Sequence, residues 1–236
     1  MEKKLKSWQG WLLFGGTMVV VFVLGMIAAS VNERHAEVTS VMNNRKTEIT
    51  GIEARNDKFE PNYPREYQTW EATADTSFKS LYNGNQAVDV LEARPEMVIL
   101  WAGYAFSKDY STPRGHMHAI EDMRNTLRVG APMTENEGPQ PATCWTCKSP
   151  DVPRMMQAMG VDNFYKGKWA SLGKEIMNPI GCADCHEPEN MNLHISRPAL
   201  IEAFQRQGKD ITKATQQEMR SLVCAQCHVE YYFKGD

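Results

Sequence analysis

The sequence predicts a mainly α protein with long loops and little β structure. Three observations lead there. Several segments carry apolar residues at three- and four-residue spacing. Strand-like alternation is scarce, and the connections are long and rich in Gly, Pro, Asn and Asp. So much loop with so few strands implies a core supplied partly by something other than side chains. With 236 residues the chain can form one large domain or two small ones. A formal net charge of −3 gives no electrostatic reason to expect nucleic acid as a partner. Charged residues at 23% and hydrophobic residues at 42% fit a globular chain rather than a disordered one.

Taken in order, residues 1–30 read as a signal peptide or an N-terminal membrane anchor. "MEKKLKSWQG" carries three lysines, and residues 11–29 contain no charge. A run of about 18 to 20 apolar residues can span a bilayer, and basic residues before it stay in the cytoplasm. "IAAS" offers small residues for a peptidase, while the length favours an uncleaved anchor; both export the chain from about residue 31 onward. Residues 31–60 are polar and mixed in charge and read as a linker, partly helical, with His35 solvated. A globular domain is expected over 61–236.

Within that domain, "AVDVLEARPEMVILWAGYAF" is broken by Pro95 and predicts a helix, a turn and a buried segment. "GHMHAIEDMRNTLRVG" places His116, Ile120, Met123 and Leu127 on one helical face, with Gly130 as a stop. Ser149 and Pro150 occupy helix-start positions before "DVPRMMQAMG". A further helix is predicted between Ser196 and Gly208, and another in "TKATQQEMRSLVCAQCHVEYYF" that runs through its cysteines. Met155, Met156 and Met159 have core spacing. Trp70, Trp101 and Trp169 read as core or cofactor contacts, and His194 as a loop or surface histidine.

All six cysteines lie in three Cys-x-x-Cys pairs: "CWTCK", "CADCH" and "CAQCH". No cysteine remains for a long-range disulfide, so three local sites are expected. Cys-x-x-Cys-His is the attachment signature of c-type haem. Two thiols on one helical turn reach the two vinyl groups of one porphyrin, and the next residue meets the iron as proximal ligand. A thioredoxin-like pair would need a βαβ context that the sequence lacks, and a Cys₄ zinc site would leave ligands over. Haem therefore fits best. At the first pair Lys148 takes the place of histidine. An amine binds iron only when deprotonated, and a free lysine titrates near about 10.4, so burial beside the iron would have to depress it. The alternative is a haem-less pair followed by a surface lysine. Electron-transfer haems generally have both axial positions filled, whereas a catalytic haem keeps one open and surrounds it with donors and positive charge.

"CWTCKSPDVPR", "GCADCH", "VCAQCHVEYYF", "RGHMHAIEDMRNTLRVGAP" and "PEMVILWAGYAFSKDYSTPRGH" together resemble cytochrome c nitrite reductase, the ammonia-forming multihaem enzyme of bacterial periplasms. The resemblance covers residues 56–236. It implies a mainly α fold with long loops around closely packed haems, whose apolar faces replace much of the core. It also implies reduction of nitrite to ammonium with six electrons.

Residue by residue, the resemblance makes Cys144, Cys147 and Lys148 the active-site haem. Cys182, Cys185 and His186 would hold the second haem, and Cys224, Cys227 and His228 the third. His116 would be the distal ligand of the third haem, with no such role for His118. Arg128 and Tyr231 would be catalytic, and Glu230 with the Tyr231 carbonyl would bind a structural calcium. The chemistry agrees: nitrite is an anion for Arg128 to hold, and Tyr231 could donate a proton as oxygen leaves as water. Read without the resemblance, Arg128 is a helix C-terminal arginine and Tyr231 an aromatic packed on a haem face.

The family carries two further haem motifs, an active-site histidine, other calcium ligands and a dimer interface beyond the point where this sequence ends. The expectation is a fragment, or a fold completed by a partner chain. The implied donors are a quinol-oxidising multihaem membrane cytochrome or a small periplasmic cytochrome. A truncated electron carrier without catalysis, and an exported zinc or structural domain, are the competing readings; hydroxylamine or sulfite are alternative substrates.

Overall fold

A computed structural model describes residues 6–79, 81, 85–129 and 140–229, with the backbone alone for residues 41–43 and 129. The chain divides into two compact units, Met1–Lys46 and Thr47–Asp236.

The first unit is one helix, α1 (Ser7–Asn43). Its 37 residues correspond to about 56 Å at 1.5 Å per residue, well above the roughly 30 Å of a bilayer core. The large apolar side chains between Trp8 and Ile27 are exposed along it. Among the described residues it is the one helix long and apolar enough to cross a membrane. Such a helix fits a signal peptide or an anchor.

The second unit is built from short helices: α2 (Pro64–Glu71), α3 (Val90–Ala93), α4 (Glu96–Leu100), α5 (Ala119–Asn125), α6 (Asp151–Met159), α7 (Val161–Lys166), α8 (Trp169–Leu172), α9 (Cys182–Cys185), α10 (Pro198–Arg206) and α11 (Gln216–Ala225). Among the described residues β structure is limited to three isolated bridges. The start signals are local. Pro198 opens α10 at a position where its missing N–H costs nothing. Thr215 and Glu218 form a reciprocal capping box at α11. Gly160 ends α6 with φ +88°, a conformation open to glycine.

The core gathers α5, α6, α7 and α8 around Trp145, Trp169, Val152, Met155, Met156, Phe164 and Ile176. Met155 and Met156 are buried there and Met159 packs against them, as their spacing predicts.

Three expectations change. Residues 31–60 are not a continuous linker: α1 runs to Asn43, and Thr47 onward belongs to the second unit, where Ile49, Asn56 and Phe59 are buried. The polar composition hid them because Asn56 and Asn62 are buried through hydrogen bonds rather than apolar packing. The segment after Pro95 is exposed rather than buried. Ile99 is 80% exposed and Leu100 69%, with no described residue covering them. The face read across residues 116–127 holds only in part: Ile120 and Met123 are buried, His116 and Leu127 are exposed, and α5 spans only the middle. Gly130 lies outside the described residues.

Candidate functional site

The first cysteine pair is mounted on the core. A short turn, Ala142–Trp145, carries Cys144 and the fully buried Trp145. Trp145 Nε1 donates to the Trp169 carbonyl at 2.8 Å, and the two indoles stack at 5.5 Å with 1° between their planes. Ala142 N–H donates to the Gly167 carbonyl and Trp169 N–H to that of Gln140, each at 2.9 Å. Cys144, Cys147 and Lys148 are left half-buried. Burial pushes the Cys144 thiol up, and the charges of Lys148 and Arg128 act against that rise. Arg128 thus lies within electrostatic reach of this motif. It sits in the turn Leu127–Val129, whose first N–H donates to Asp109 at 2.7 Å. Its guanidinium lies 5.0 Å over the Phe106 ring, and its buried Nε has no partner among the described residues.

The second pair lies on α9. Asp184 caps that helix by accepting from Gly181 N–H at 2.8 Å. Asn56 accepts from Cys182 N–H at 3.0 Å and donates to the Pro179 carbonyl at 3.1 Å. Burial raises the Cys182 and Cys185 thiols to about 11. His186 comes next in extended backbone, with its Nδ1 2.8 Å from the Met191 carbonyl. That contact assigns the proton to Nδ1 and leaves the Nε2 lone pair available to a ligand. Met191 adopts φ +59°, an uncommon left-handed conformation in the loop that returns its carbonyl to the histidine. His194, expected in a loop or on the surface, is half-buried; its N–H donates to the Cys185 carbonyl at 3.0 Å and its Nε2 lies 3.3 Å from that of Ala183.

The third pair closes α11. The helix ends at Ala225, between the cysteines, rather than running through both, and a turn carries Cys227 and His228. Cys224 and His228 are exposed. The Cys147 and Cys227 thiols interact with each other: Cys147 is held down at about 7, with help from Lys148 and Arg197, while Cys227 is pushed up. The first and third motifs are therefore neighbours. His116 is exposed in area, yet the surrounding chain lowers its imidazole, and His228 and Lys148 push the same way. Lys148, His116 and His228 thus share one region of the second unit. His118 is occupied elsewhere, 2.9 Å from the Ala74 carbonyl and 3.3 Å from Glu121. Tyr231 and Glu230 lie outside the described residues.

The residues fit covalent haem c. All six thiols are free and none is fully buried, and His186 presents its Nε2 with the other nitrogen locked. Among the described residues no three His, Cys, Asp or Glu side chains converge in a metal-binding group.

Sequence reasoning missed the polar residues that tie the motifs together: Arg197, Asp184, Gln226 and Asn56. Of the third residues of the motifs, Asp184 and Gln226 bond through their side chains, whereas Thr146 takes part through its backbone carbonyl, which leaves no sequence signal.

The cytochrome c552 family model matches residues 55–236. A cytochrome c-552 from Parabacteroides distasonis is 99% identical over all 236 residues, which make up 48% of its length. One from Bacteroides fragilis is 76% identical over 236 residues, again all of this chain and 48% of the relative. One from Aliarcobacter butzleri is 49% identical over 224 residues, covering 94% of this chain and 43% of that protein. The chain thus spans about half the length of these relatives. Among solved structures, the catalytic subunit of cytochrome c nitrite reductase from Desulfovibrio desulfuricans, described with two calcium sites, superposes with a TM-score of 0.71. It is 31% identical over 79% of this chain and 42% of its own. Matched from residue 55 to residue 236, the chain belongs to the cytochrome c552 family.

Proposed function

We propose that the chain carries the substrate site of an ammonia-forming cytochrome c nitrite reductase working in the periplasm. The observation that carries this reading is Arg128: a guanidinium held over Phe106, its buried Nε without a partner among the described residues, beside the motif that ends in Lys148 rather than histidine. A mere electron carrier has no use for a cation there.

When bound, haem c would supply an iron that exchanges electrons and takes up the anion. Cys144 and Cys147 would hold it by thioethers, and Lys148 would ligate its iron. Arg128 binds and orients nitrite by charge and paired N–H donors. Tyr231 donates a hydrogen bond or proton as each oxygen leaves as water. Nitrite, eight protons and six electrons balance to ammonium and two waters. His186 would ligate the second haem, and His228 and His116 the third. Glu230 and the Tyr231 carbonyl would hold a calcium whose charge would add to the field felt by the anion. Electrons come from a quinol-oxidising multihaem membrane cytochrome or a small periplasmic cytochrome, and α1 serves as export signal or anchor. The enzyme of this reading is a homodimer.

The test is the electronic spectrum of the haem-loaded protein with and without nitrite. Three haems by mass and a high-spin component that shifts on adding nitrite are expected, and R128Q should abolish that shift while keeping all three haems. Three haems with no high-spin component would leave an electron carrier in its place.

A further inference from the structure

Arg197 lies just ahead of α10 and outside every cysteine motif, yet its side chain is fully buried. Its Nε donates to the carbonyl of Thr146 at 2.7 Å, in the first motif. One terminal nitrogen donates to the Asp184 carboxylate at 2.5 Å, in the second motif, and to the Ser149 carbonyl at 2.9 Å. The other terminal nitrogen donates to Ser196 Oγ at 2.6 Å. The backbone N–H of Arg197 donates to Gln226 Oε1 at 3.2 Å, in the third motif, and Gln226 Nε2 returns to the Asp184 carbonyl at 2.7 Å. The three partners are the third residues of their respective Cys-x-x-Cys motifs.

From this junction we infer that the Arg197 guanidinium is the positioning group that sets the first and second attachment motifs relative to each other, with the third tied in through the Arg197 backbone N–H and Gln226, and so sets the spacing of the relay built on them. The inference rests on the haem reading above. A guanidinium suits the task because its planar fork offers several donors at fixed angles, which an ammonium cannot reproduce. A buried cation beside Asp184 alone would need only one of these bonds. Those to Thr146 and Ser149 reach back 51 and 48 residues along the chain and serve no helix end of their own. Haem edges are rigid, so a small rotation of one motif changes their separation and the magnetic and electronic coupling between them. A positive charge among them also favours the reduced state of each neighbouring iron.

The test compares the haem-loaded wild-type chain with R197K and R197Q by intact mass, by electron paramagnetic resonance of the oxidised state and by redox titration. In R197K, which keeps the charge and loses the fork, three haems are expected, with potentials close to wild type and altered resonance signals from more than one haem. R197Q should show the same altered signals and a downward shift in potential as well. Q226L removes the bonds that join the third motif to the Arg197 backbone and to the Asp184 carbonyl, and should alter the signals of the second and third haems; it tests the junction if the Arg197 variants do not accumulate. Resonance signals in R197K matching wild type, or altered at the second haem alone, would overturn the inference, as would a Q226L spectrum unchanged from wild type. Fewer than three haems on the wild-type chain would overturn the haem reading itself, and the inference with it.

Discussion

Around Cys144 and Cys147 the chain is supported by apolar packing, and around Cys182 and Cys185 by buried polar bonds. The first motif leans on stacked indoles and the α6–α8 core. The second is enclosed by Asp184, Arg197, Asn56 and Gln226, each fully or nearly fully buried. The four-residue spacing is the same, and so is the demand for a rigid base under a covalently held group. The difference shows that the motif does not dictate its own scaffold. Apolar packing tolerates changes of shape in proportion to volume, whereas a buried charge network tolerates little because each group depends on its partner.

The largest effect is expected on the polar side. D184A leaves the Arg197 guanidinium buried without its counter-charge and should cost about 3–5 kcal/mol, read as a lower midpoint in urea unfolding of the loaded chain. Replacing both partners with apolar residues of similar size, D184L/R197M, should recover much of that loss. If it recovers nothing, the pair does not act as a unit and the contrast between the two motifs fails.

On the apolar side W169A should cost about 3–5 kcal/mol through the cavity it opens. W169F should cost clearly less, because it keeps most of the ring and deletes a buried Nε1 that has no partner among the described residues. Equal losses from W169A and W169F would mean that the indole ring itself, rather than filled volume, supports the first motif.

G181A comes next. A Cβ there would run into the Asn56 side chain that receives Cys182 N–H. The expected cost is about 1–3 kcal/mol from overpacking. Fewer thioether bonds at Cys182, counted by mass, should accompany it.

The smallest effect concerns α11, which leads into the third motif. T215A removes the helix cap and should cost about 1 kcal/mol. Its partner Glu218 has a carboxyl held below its ordinary 4.5 by hydrogen bonds from Thr215. A carboxyl lowered in the folded state stabilises above its unfolded value, and that contribution fades as pH falls through the lowered one. Wild type and T215A should therefore differ most at neutral pH and converge below about 4.5, as thermal unfolding across pH would report. A difference that persists in acid would place the cap's effect in Thr215 alone.

Local features are legible in the chain alone. The three attachment motifs, the lysine in place of histidine, the long apolar N-terminal helix and the starts of α6, α10 and α11 come from covalent spacing, run length and capping chemistry within a few residues. Folding in three dimensions was needed to show that Thr47 to Glu60 joins the larger unit, that Val98, Ile99 and Leu100 are exposed, and that Arg197 meets all three motifs. The physical reason is distance along the chain. A cap or a proline acts on its own neighbours, whereas a hydrogen bond across 51 residues exists only once packing has excluded water and left the donor no other partner.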